Sequence, residues 1–473
     1  MKSGTSSKPD KKAKSLTSLL SKLMIEKVPK FGNRFFYSLG FLSMISFMML
    51  LVTGVIEVIF GANWWLTNSV GKYVRSLHLW STQAFVLFVL LHLIVVFSTS
   101  GFKKPRRLTW IMGVLMFFFV LAETEFGYVL RGDFSSQWRS LQGADFYNGS
   151  GIGKLIDTLN YKQMYGVHIA LVPLAIMGLL LFHYVLVRIL GIANPKRKNE
   201  KQVVVVPANH NMLFIRGGVL IVIVIGLAAA FPSPFLKPIT VKEIAQSDSS
   251  LMAKTLVAEF DRSSDTAGYM DNINPYTYDV RKVYVEEPYS QLLLMRPDMP
   301  NQLKAFDAQP EQVQADQLKE LTDYYESEDA NKGTAPQNIA SSVIDSLVEM
   351  AGAGLYEPAI AGSNDPVAAG NHTTYVIRFL ADTGVVEERA TGLNLTTEQY
   401  GMLREETSGS PGAWWLAPIG VLNHTVLSGD ENGDRDAAVI FGMLLLLMVA
   451  FPYIPWVNEI PEKLRLYKLF QRP

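Results

Sequence analysis

The sequence predicts an all-α membrane protein with one large insertion outside the membrane. Hydrophobic residues make up 49% of the 473 positions, and they are concentrated in segments close to the ~20 residues that a spanning helix needs. There are six such segments: 35–59, 78–99, 108–130, 166–190, 211–231 and 437–456. Length alone would suggest several soluble domains, but these long apolar runs favour a multi-pass membrane protein.

The polar stretch 232–436 separates the fifth apolar segment from the sixth. Its Pro, Gly, Asp and Glu residues alternate with short apolar runs such as TTYVIRFLA at 373–381, which are typical of a folded domain rather than a linker. We therefore expect a soluble domain of mixed α/β or α+β structure. Its run GAWWLAPIGVL at 412–422 offers aromatic and apolar residues suited to an interface with a partner or with lipid.

The distribution of Lys and Arg predicts the orientation in the membrane. Segment 1–34 is rich in Lys and predicts an amphipathic helix on an anionic membrane surface, with apolar residues at helical spacing: Leu16, Leu19, Leu20, Leu23 and Met24. The loop 101–107, the segment 194–201 and the tail 457–473 are also basic, and six crossings put all four on one side. By the positive-inside rule this is the cytoplasmic (n) side of what we expect to be a bacterial inner membrane. Both termini then lie on the n-side, and the insertion lies on the opposite (p) side.

The chain contains no cysteine. This excludes disulfides, iron–sulfur clusters, thiolate metal sites and thioether-linked haem within the chain, so any such centre belongs to a partner. The 43 basic and 43 acidic residues balance, and nothing in the sequence indicates a nucleic-acid partner.

Four histidines lie in the apolar segments at two similar spacings. His78 and His92 are 14 residues apart in the second segment, and His168 and His183 are 15 apart in the fourth. Each pair lies on one helix face, within roughly 40° and 60°, and is separated by ~21 Å along the axis. If the two helices run antiparallel side by side, His78 faces His168 near the p-side and His92 faces His183 near the n-side. Each facing pair can supply both axial ligands of one iron porphyrin.

Glycines supply a second indication, because a porphyrin between helices needs positions without side chains. Gly40 and Gly54 in the first segment are 14 apart, and so are Gly113 and Gly127 in the third. Small residues in membrane helices often serve helix packing alone, and a lone histidine is more often a polar contact to another helix. The matched pairs favour ligation over these simpler explanations, because ionisable groups in a membrane are costly and mark function.

Other polar residues at the membrane ends are weaker site candidates. Arg75 is placed to pair with a haem propionate or to snorkel to the interface. Glu123 and Glu125, in LAETEFGY, could relay protons at the p-side or be plain interfacial carboxylates. Arg188 and His210 could contact a quinone or propionates at the n-side, although topology and a solvated loop explain them more simply. We expect ordinary surface roles for the histidines of the insertion: His372 and His424.

Together these residues resemble cytochrome b of the quinol-oxidising bc-type complexes, most closely its short b6 form. The resemblance covers residues 30–195 and depends on RSLHLW, the 14-residue step to His92, GFKKPRRLTW, GYVL at 127–130 and YGVHIALVPL with its 15-residue step. It implies a four-helix bundle, residues 35–195, with two non-covalent b-type haems. In the family these haems carry electrons between a p-side and an n-side quinone site. Segments 211–231 and 437–456 would then be two further spanning helices.

Three departures from the family pattern bear on function. The b6 form has a cysteine that holds an extra covalent haem where this chain reads FYSLGF with Ser38, so we expect that haem to be absent. Arg131 and Gly132 replace the usual Pro-Trp after GYVL, while Asp133 and Trp138 keep register. The PEWY-type motif, whose glutamate accepts a quinol proton, is missing. The resemblance therefore implies a p-side quinol pocket that is altered or lost.

We expect the chain to be the dihaem cytochrome b subunit of a membrane quinol/quinone oxidoreductase complex. Its expected partners are quinone, other membrane subunits of an oligomeric complex, and a p-side carrier such as a c-type cytochrome or a Rieske-type iron–sulfur protein docked on the insertion. Two alternatives stay open. One is a quinone-reactive membrane anchor of another dehydrogenase or reductase without a bifurcating cycle, which the missing PEWY motif favours. The other is a scaffold subunit whose haems are incidental, which reduction of the haems by quinol would exclude.

Overall fold

The computed structural model describes residues 25–192, 204–272, 277–327, 335–362, 374–396, 399–401, 411–430 and 432–471. Over these residues the chain is mostly helical, as predicted, with one small two-stranded sheet. Six helices are long and apolar enough to cross a membrane, which confirms the predicted number. The first five are α1 (Leu39–Thr67), α2 (Ser69–Ser98), α3 (Arg107–Val129), α5 (Tyr161–Leu190) and α6 (His210–Ala230). A further helix, α4 (Phe134–Gly149), lies between α3 and α5 in the chain.

α1 and α2 continue beyond the apolar segments 35–59 and 78–99 that predict them. The side chain of Asn68 accepts hydrogen bonds from two backbone N–H groups in the first turn of α2 and caps this helix. Gly61, with φ of +75°, introduces a kink near the end of α1. Hydropathy alone misses these extensions, because the added turns depend on a polar cap rather than on apolar residues.

A π-turn, Val167–Leu171, lies within α5 and includes His168. Pro173 follows it, and proline has no N–H to donate to the preceding turn, which accounts for the local change in hydrogen bonding. A π-turn adds one residue to a helix. The 15-residue step from His168 to His183 therefore corresponds in phase to the 14-residue step between the histidines of α2.

α1 packs mainly against α2, and α3 packs mainly against α5, so these four helices form the central bundle. α6 lies against α1 and α2, where Gly217 permits close approach: an added Cβ would lie 3.1 Å from Phe41 Cε1. The last spanning helix, Gly433–Ala450, lies against α3, where Trp110 Nε1 donates to the Met448 carbonyl at 2.7 Å. Two further helices thus flank the bundle on different sides.

The described part of segment 1–34 is not an amphipathic helix. Strand β1 (Lys27–Pro29) pairs antiparallel with β2 (Val205–Pro207), and a 3-10 turn, Lys30–Asn33, follows it. The partner strand satisfies the backbone hydrogen bonds of β1, which favours the extended conformation over a helix. The apolar positions that predict the helix, Leu16 to Met24, lie outside the described residues.

All regular elements in the described part of the insertion are helices, with no strand among them, so the prediction of a mixed α/β or α+β domain is wrong for those residues. The run 374–382 forms a helix because Tyr375, Val376, Phe379 and Leu380 recur at helical spacing and bury one face. The helices of the insertion are α7 (Val241–Ser247), α8 (Ser249–Asp261), α9 (Asp265–Asn272), α10 (Glu287–Met295), α11 (Gln302–Asp307), α12 (Glu311–Glu326), α13 (Ile339–Gly352), α14 (Tyr356–Ala361), α15 (Thr374–Asp382), α16 (Val385–Gly392) and α17 (Ala417–His424). The last spanning helix is α18.

The insertion rests on α4. The backbone N–H of Phe134 donates to the Leu236 carbonyl at 3.0 Å. Gln137 exchanges two hydrogen bonds with the backbone of Ile239, at 2.8 and 2.9 Å. These contacts join the start of the insertion to the bundle directly, so the insertion is not suspended on a free linker.

The aromatic residues of the run 412–422 pack inside the chain. Trp415 is only 6% exposed, and Trp414 Nε1 donates to Gln83 Oε1 of α2 at 2.8 Å. The bundle itself thus binds these two tryptophans, while the prediction that the run 412–422 offers an interface to a partner or to lipid stays a prediction.

Candidate functional site

The structure brings the four membrane histidines together at two levels, His78 with His168 and His92 with His183. The ring centroids of His78 and His168 lie 6.3 Å apart. Two imidazoles bound to opposite faces of one metal ion through bonds of about 2.0–2.1 Å would have centroids roughly 6.3 Å apart. The first pair therefore has the spacing of two axial ligands. His92 and His183 are close enough to interact electrostatically.

Each of the four predicted glycines faces one of these imidazoles. On α1, a Cβ added at Gly40 would lie 3.2 Å from His92 Cε1, and one added at Gly54 would lie 3.3 Å from His78 Cε1. On the other side of the bundle, a Cβ added to α3 would lie as close to the rings of α5: 3.5 Å at Gly113 from His183 Cε1, and 2.9 Å at Gly127 from His168 Cε1. Both levels are thus lined by backbone where a flat ligand could approach the imidazoles.

Hydrogen bonds at Nδ1 orient two of the rings. His78 Nδ1 lies 2.9 Å from Thr53 Oγ1, which itself donates to the Met49 carbonyl and so accepts from the imidazole. His183 Nδ1 donates to the Thr109 carbonyl at 3.0 Å. An imidazole that donates through Nδ1 has its lone pair on Nε2, the arrangement found in metal-binding histidines.

A buried network of three charged residues lies beside the first level. Asp133 is fully buried and pairs with Arg75 at 3.1 Å and with Arg131 at 2.9 Å. Arg75 also lies against the rings of Trp65 and Phe235. The structure thus gives Arg75 a protein carboxylate as its partner, while its predicted contact with a propionate stays a prediction. Sequence reasoning missed this network, although the departure from Pro-Trp at Arg131 and Gly132 marks its position.

Two further carboxylates lie at this level. Glu123 Oε1 is 3.0 Å from His168 Nδ1, and Glu125 Oε2 is 4.0 Å from Arg139. Sequence reasoning missed a third, Glu57, which follows Gly54 by one helical turn. Its buried Oε1 has no hydrogen-bond partner within the described part of the chain. An acidic residue inside the first apolar segment was the signal that could have found it.

The other candidates lie apart from the histidine levels. Arg188 is exposed near the end of α5, and His210 lies 3.0 Å through Nε2 from the Ile25 carbonyl. Ser38 is buried and accepts a hydrogen bond from Arg216 of α6 at 2.5 Å. His424 stacks on Tyr400, and His372 lies outside the described residues.

Six membrane-capable helices with paired histidines between four of them define the class, an integral membrane protein of the helical-bundle type. A family model described as cytochrome b (N-terminal)/b6/petB matches residues 83–238. Cytochrome b6 of Heliobacterium modesticaldum is 30% identical over 190 residues, which is 36% of this chain and 89% of that protein. The menaquinol:cytochrome c reductase cytochrome b subunit of Bacillus subtilis is 30% identical over 146 residues, 28% of this chain and 65% of that protein.

A solved structure described as a hyperthermophilic respiratory Complex III is a weaker likeness, with a TM-score of 0.39 and 15% identity over 81% of this chain and 98% of that one. The sequence matches show that the chain belongs to the cytochrome b/b6 family of membrane electron-transport proteins, which confirms the resemblance. Membership implies binding of b-type haem. The family match ends at residue 238, so nearly all of the insertion and the last helix lie outside it.

Proposed function

We propose that the chain is the dihaem cytochrome b subunit of a membrane quinol/quinone oxidoreductase complex. His78 and His168 would hold one non-covalent b-type haem near the p-side, and His92 and His183 would hold a second near the n-side. The observation that supports this most is the set of four glycines, each of which faces one of the four imidazoles. Helix packing alone would not require every such glycine to face a histidine.

The residues present fit the cofactor, which supplies reversible one-electron transfer at its iron when bound. Thr53 and the Thr109 carbonyl hold two of the imidazoles with Nε2 free to ligate. Ser38 has no thiol that could form a thioether, and the chain has no cysteine, so this proposal includes no third, covalently linked haem.

An apolar layer separates the two levels. Phe47 of α1 and Phe85 of α2 lie midway between the site residues of their helices and stack with centroids 5.4 Å apart. Val120 of α3 and Ile176 of α5 belong to the same buried cluster. This layer excludes water and charge, so that electrons, and not protons, would pass between the levels.

The carboxylates divide into two roles in this proposal. Glu123 lies against His168 and would orient that ligand. Glu125 is partly exposed, with 26% of its side chain accessible, and would exchange protons with the p-side. Arg188, exposed near the end of α5, would meet a quinone or the propionates of the n-side haem. A quinone headgroup would therefore exchange electrons near one of the two ends of the bundle.

The chain would work within a larger membrane assembly, because one of its relatives is a subunit of a menaquinol:cytochrome c reductase. We propose quinone, other membrane subunits and a p-side electron carrier as partners, the carrier being a c-type cytochrome or a Rieske-type iron–sulfur protein. The termini would lie on the n-side. The helical insertion would dock the carrier on the p-side through a surface other than its tryptophans, which are already engaged.

A quinone-reactive anchor without a bifurcating cycle is the second candidate, favoured by the missing PEWY motif. The two candidates differ in where quinol electrons go. In a bifurcating complex, one electron of each quinol reduces the p-side carrier and the other reduces the haems, whereas in an anchor both pass through the haems.

The purified complex tests the main proposal. We expect two haems per chain by pyridine haemochrome assay, full extraction of both into acidified acetone, and reduction of both by quinol within the turnover time. Haem that stays on the ~53 kDa band in denaturing electrophoresis would contradict non-covalent binding (chain mass 52.7 kDa). Haems that quinol leaves oxidised would favour the scaffold alternative.

A further inference from the structure

Residues 411–416 enter the bundle between its two histidine levels. Gln83 of α2 donates through Nε2 to the carbonyls of Pro411 and Gly412, at 3.0 and 3.2 Å, and accepts from Trp414 Nε1 at 2.8 Å. Gln83 lies five residues after His78 and nine before His92, which is about 7.5 Å and 13.5 Å along the helix axis. The backbone at 411–412 therefore reaches past the first histidine level towards the centre of the bundle.

This backbone is not helical at Gly412 and Ala413. Irregular backbone is tolerated at membrane depth only where it is buried in protein and its polar groups have partners. Both conditions hold, because Ala413 is 1% exposed and the amide of Gln83 satisfies two adjacent carbonyls. Pro411 has no backbone N–H that would need a partner. A glutamine side chain inside a membrane is costly unless it is used, and here every atom of its amide is engaged in binding the segment.

Apolar packing fixes the same segment from the other side. Ala413 and Trp415 belong to one buried cluster with Phe85 of α2 and with Val120 and Phe126 of α3. Phe126 is the neighbour of Gly127, whose backbone faces His168. α2 and α3 contact each other little. The segment thus fills the space between them beside the first histidine level.

A short helix follows this segment directly. α17 follows Leu416, and His424 at its end stacks on Tyr400 with ring centroids 3.6 Å apart and an angle of 14°. The contact between Tyr400 and His424 therefore joins described residues on either side of the re-entrant segment 411–416, and Gln83 holds the start of that segment. α18 then crosses the membrane.

We propose that Gln83 is a positioning residue that holds the re-entrant segment 411–416 in the bundle, and that this segment closes the His78 and His168 level on the side between α2 and α3. The segment would limit access of solvent to the site of His78 and His168. The closure itself is argued from the contacts above, whereas its effect on a haem rests on the proposed function.

The absence of cysteine makes thiol labelling a direct test, since any thiol in a variant is an introduced one. The full chain with Ala413→Cys is treated with a water-soluble maleimide in detergent, alone and combined with Gln83→Leu. We expect the thiol to be protected in the first protein and to react at least tenfold faster in the second. Val426→Cys, at a site that is 76% exposed, should react rapidly and equally in both backgrounds.

Ser81→Ala is the matched control for Gln83→Leu. Ser81 is fully buried on the same helix, and its hydroxyl has no hydrogen-bond partner within the described residues, so its loss should leave the Ala413→Cys thiol protected. Rapid labelling of that thiol in the otherwise unchanged chain, or equal labelling with and without Gln83, would overturn the proposal.

A second measurement keeps the proposal testable if Ala413→Cys does not accumulate. Gln83→Leu alone should speed hydrogen exchange of the backbone N–H groups at 412–416, while peptides that contain His183 stay protected. Unchanged exchange at 412–416 would overturn the proposal. The two proposals fail separately: loss of the closure leaves the ligand assignment intact, and a wrong ligand assignment leaves the labelling result intact.

Discussion

The two histidine levels share one backbone geometry but differ in what surrounds them. Around His78 and His168 the structure gathers ionisable side chains: Glu57, Arg75, Glu123, Arg131 and Asp133. At the other level, His183 is held by a backbone carbonyl. The comparison teaches that glycines and histidines define where a flat cofactor fits, whereas the surrounding charges decide its electrostatic environment. In the proposed function two haems act in series, and this difference would give them different potentials, because hydrogen bonding and charge tune haem potentials.

Removing a ligand should give the largest effect and would break the comparison most directly. We expect His92→Ala or His183→Ala to abolish the n-side haem and largely spare the p-side one, because the levels are ~20 Å apart along the helices. His78→Ala and His168→Ala should do the reverse. Low-temperature optical and electron paramagnetic resonance spectra distinguish the two haems. Four variants with identical spectra and two low-spin haems each would refute the pairing.

Adding one methyl group should affect the two levels unequally. A Cβ at Gly127 would lie 2.9 Å from His168, but one at Gly113 would lie 3.5 Å from His183. The shorter distance requires the imidazole to move, whereas the longer one is ordinary contact. We expect Gly127→Ala to lose most of the p-side haem and Gly113→Ala to retain most of the n-side haem. Equal haem retention in the two variants would show that both glycine positions accept a methyl group equally well.

The buried ion network should make the p-side end of the bundle the more sensitive to a lost charge. Asp133→Asn keeps the size of the side chain but leaves Arg75 and Arg131 without their buried carboxylate, which should cost about 3 kcal/mol in the free energy of opening there. Hydrogen exchange of peptides from α4 and the start of the insertion measures this. Ser38→Ala, at the opposite end, serves as the control and should leave those peptides protected. Unchanged exchange in Asp133→Asn would show the network to be dispensable.

The smallest expected effect is a dependence of the insertion on pH. Glu259 and Asp382 are buried neighbours. Ser264 Oγ donates to Glu259, and the Thr266 N–H donates to Asp382. The other carboxyl oxygen of each residue has no hydrogen-bond partner within the described residues. Burial first, and for Glu259 the neighbouring carboxylate next, raise the pKa of both groups. Tyr278, Tyr284, Arg378 and Asp265 are the other titratable groups around the pair.

Because the folded state holds a proton that the unfolded state releases more easily, stability is greatest at acidic pH and falls as pH rises from the ordinary range of carboxyl groups, about 4, to the raised folded values. We expect the free energy of opening of α8 and α15 to fall over this rise. Glu259→Gln removes one of the two titrating groups and should flatten the dependence. Hydrogen exchange of the full chain, corrected for the intrinsic rate at each pH, decides this, and an equal slope in both proteins would contradict the prediction.

Local patterns account for the parts of the fold that the sequence predicted well. Spanning helices follow from the length of apolar runs, and the equal steps between Gly40 and Gly54 and between His78 and His92 follow from helical periodicity. Local patterns gave the wrong secondary structure where the apolar run was short. Residues 374–382 contain the residue types of a strand, but their spacing buries one helical face against the rest of the insertion.

The sequence by itself determined the number of spanning helices and the two sets of histidines and glycines, because hydrophobic length and the helical period are properties of neighbouring residues. Only the tertiary structure decided which glycine faces which histidine, that Glu123 lies against His168, and that Asp133 pairs with two arginines. It also placed Gln83 against residues 411–414, which are 328 or more positions away. Contacts of this kind depend on how distant segments pack against one another, and a pattern in neighbouring residues carries no record of that packing.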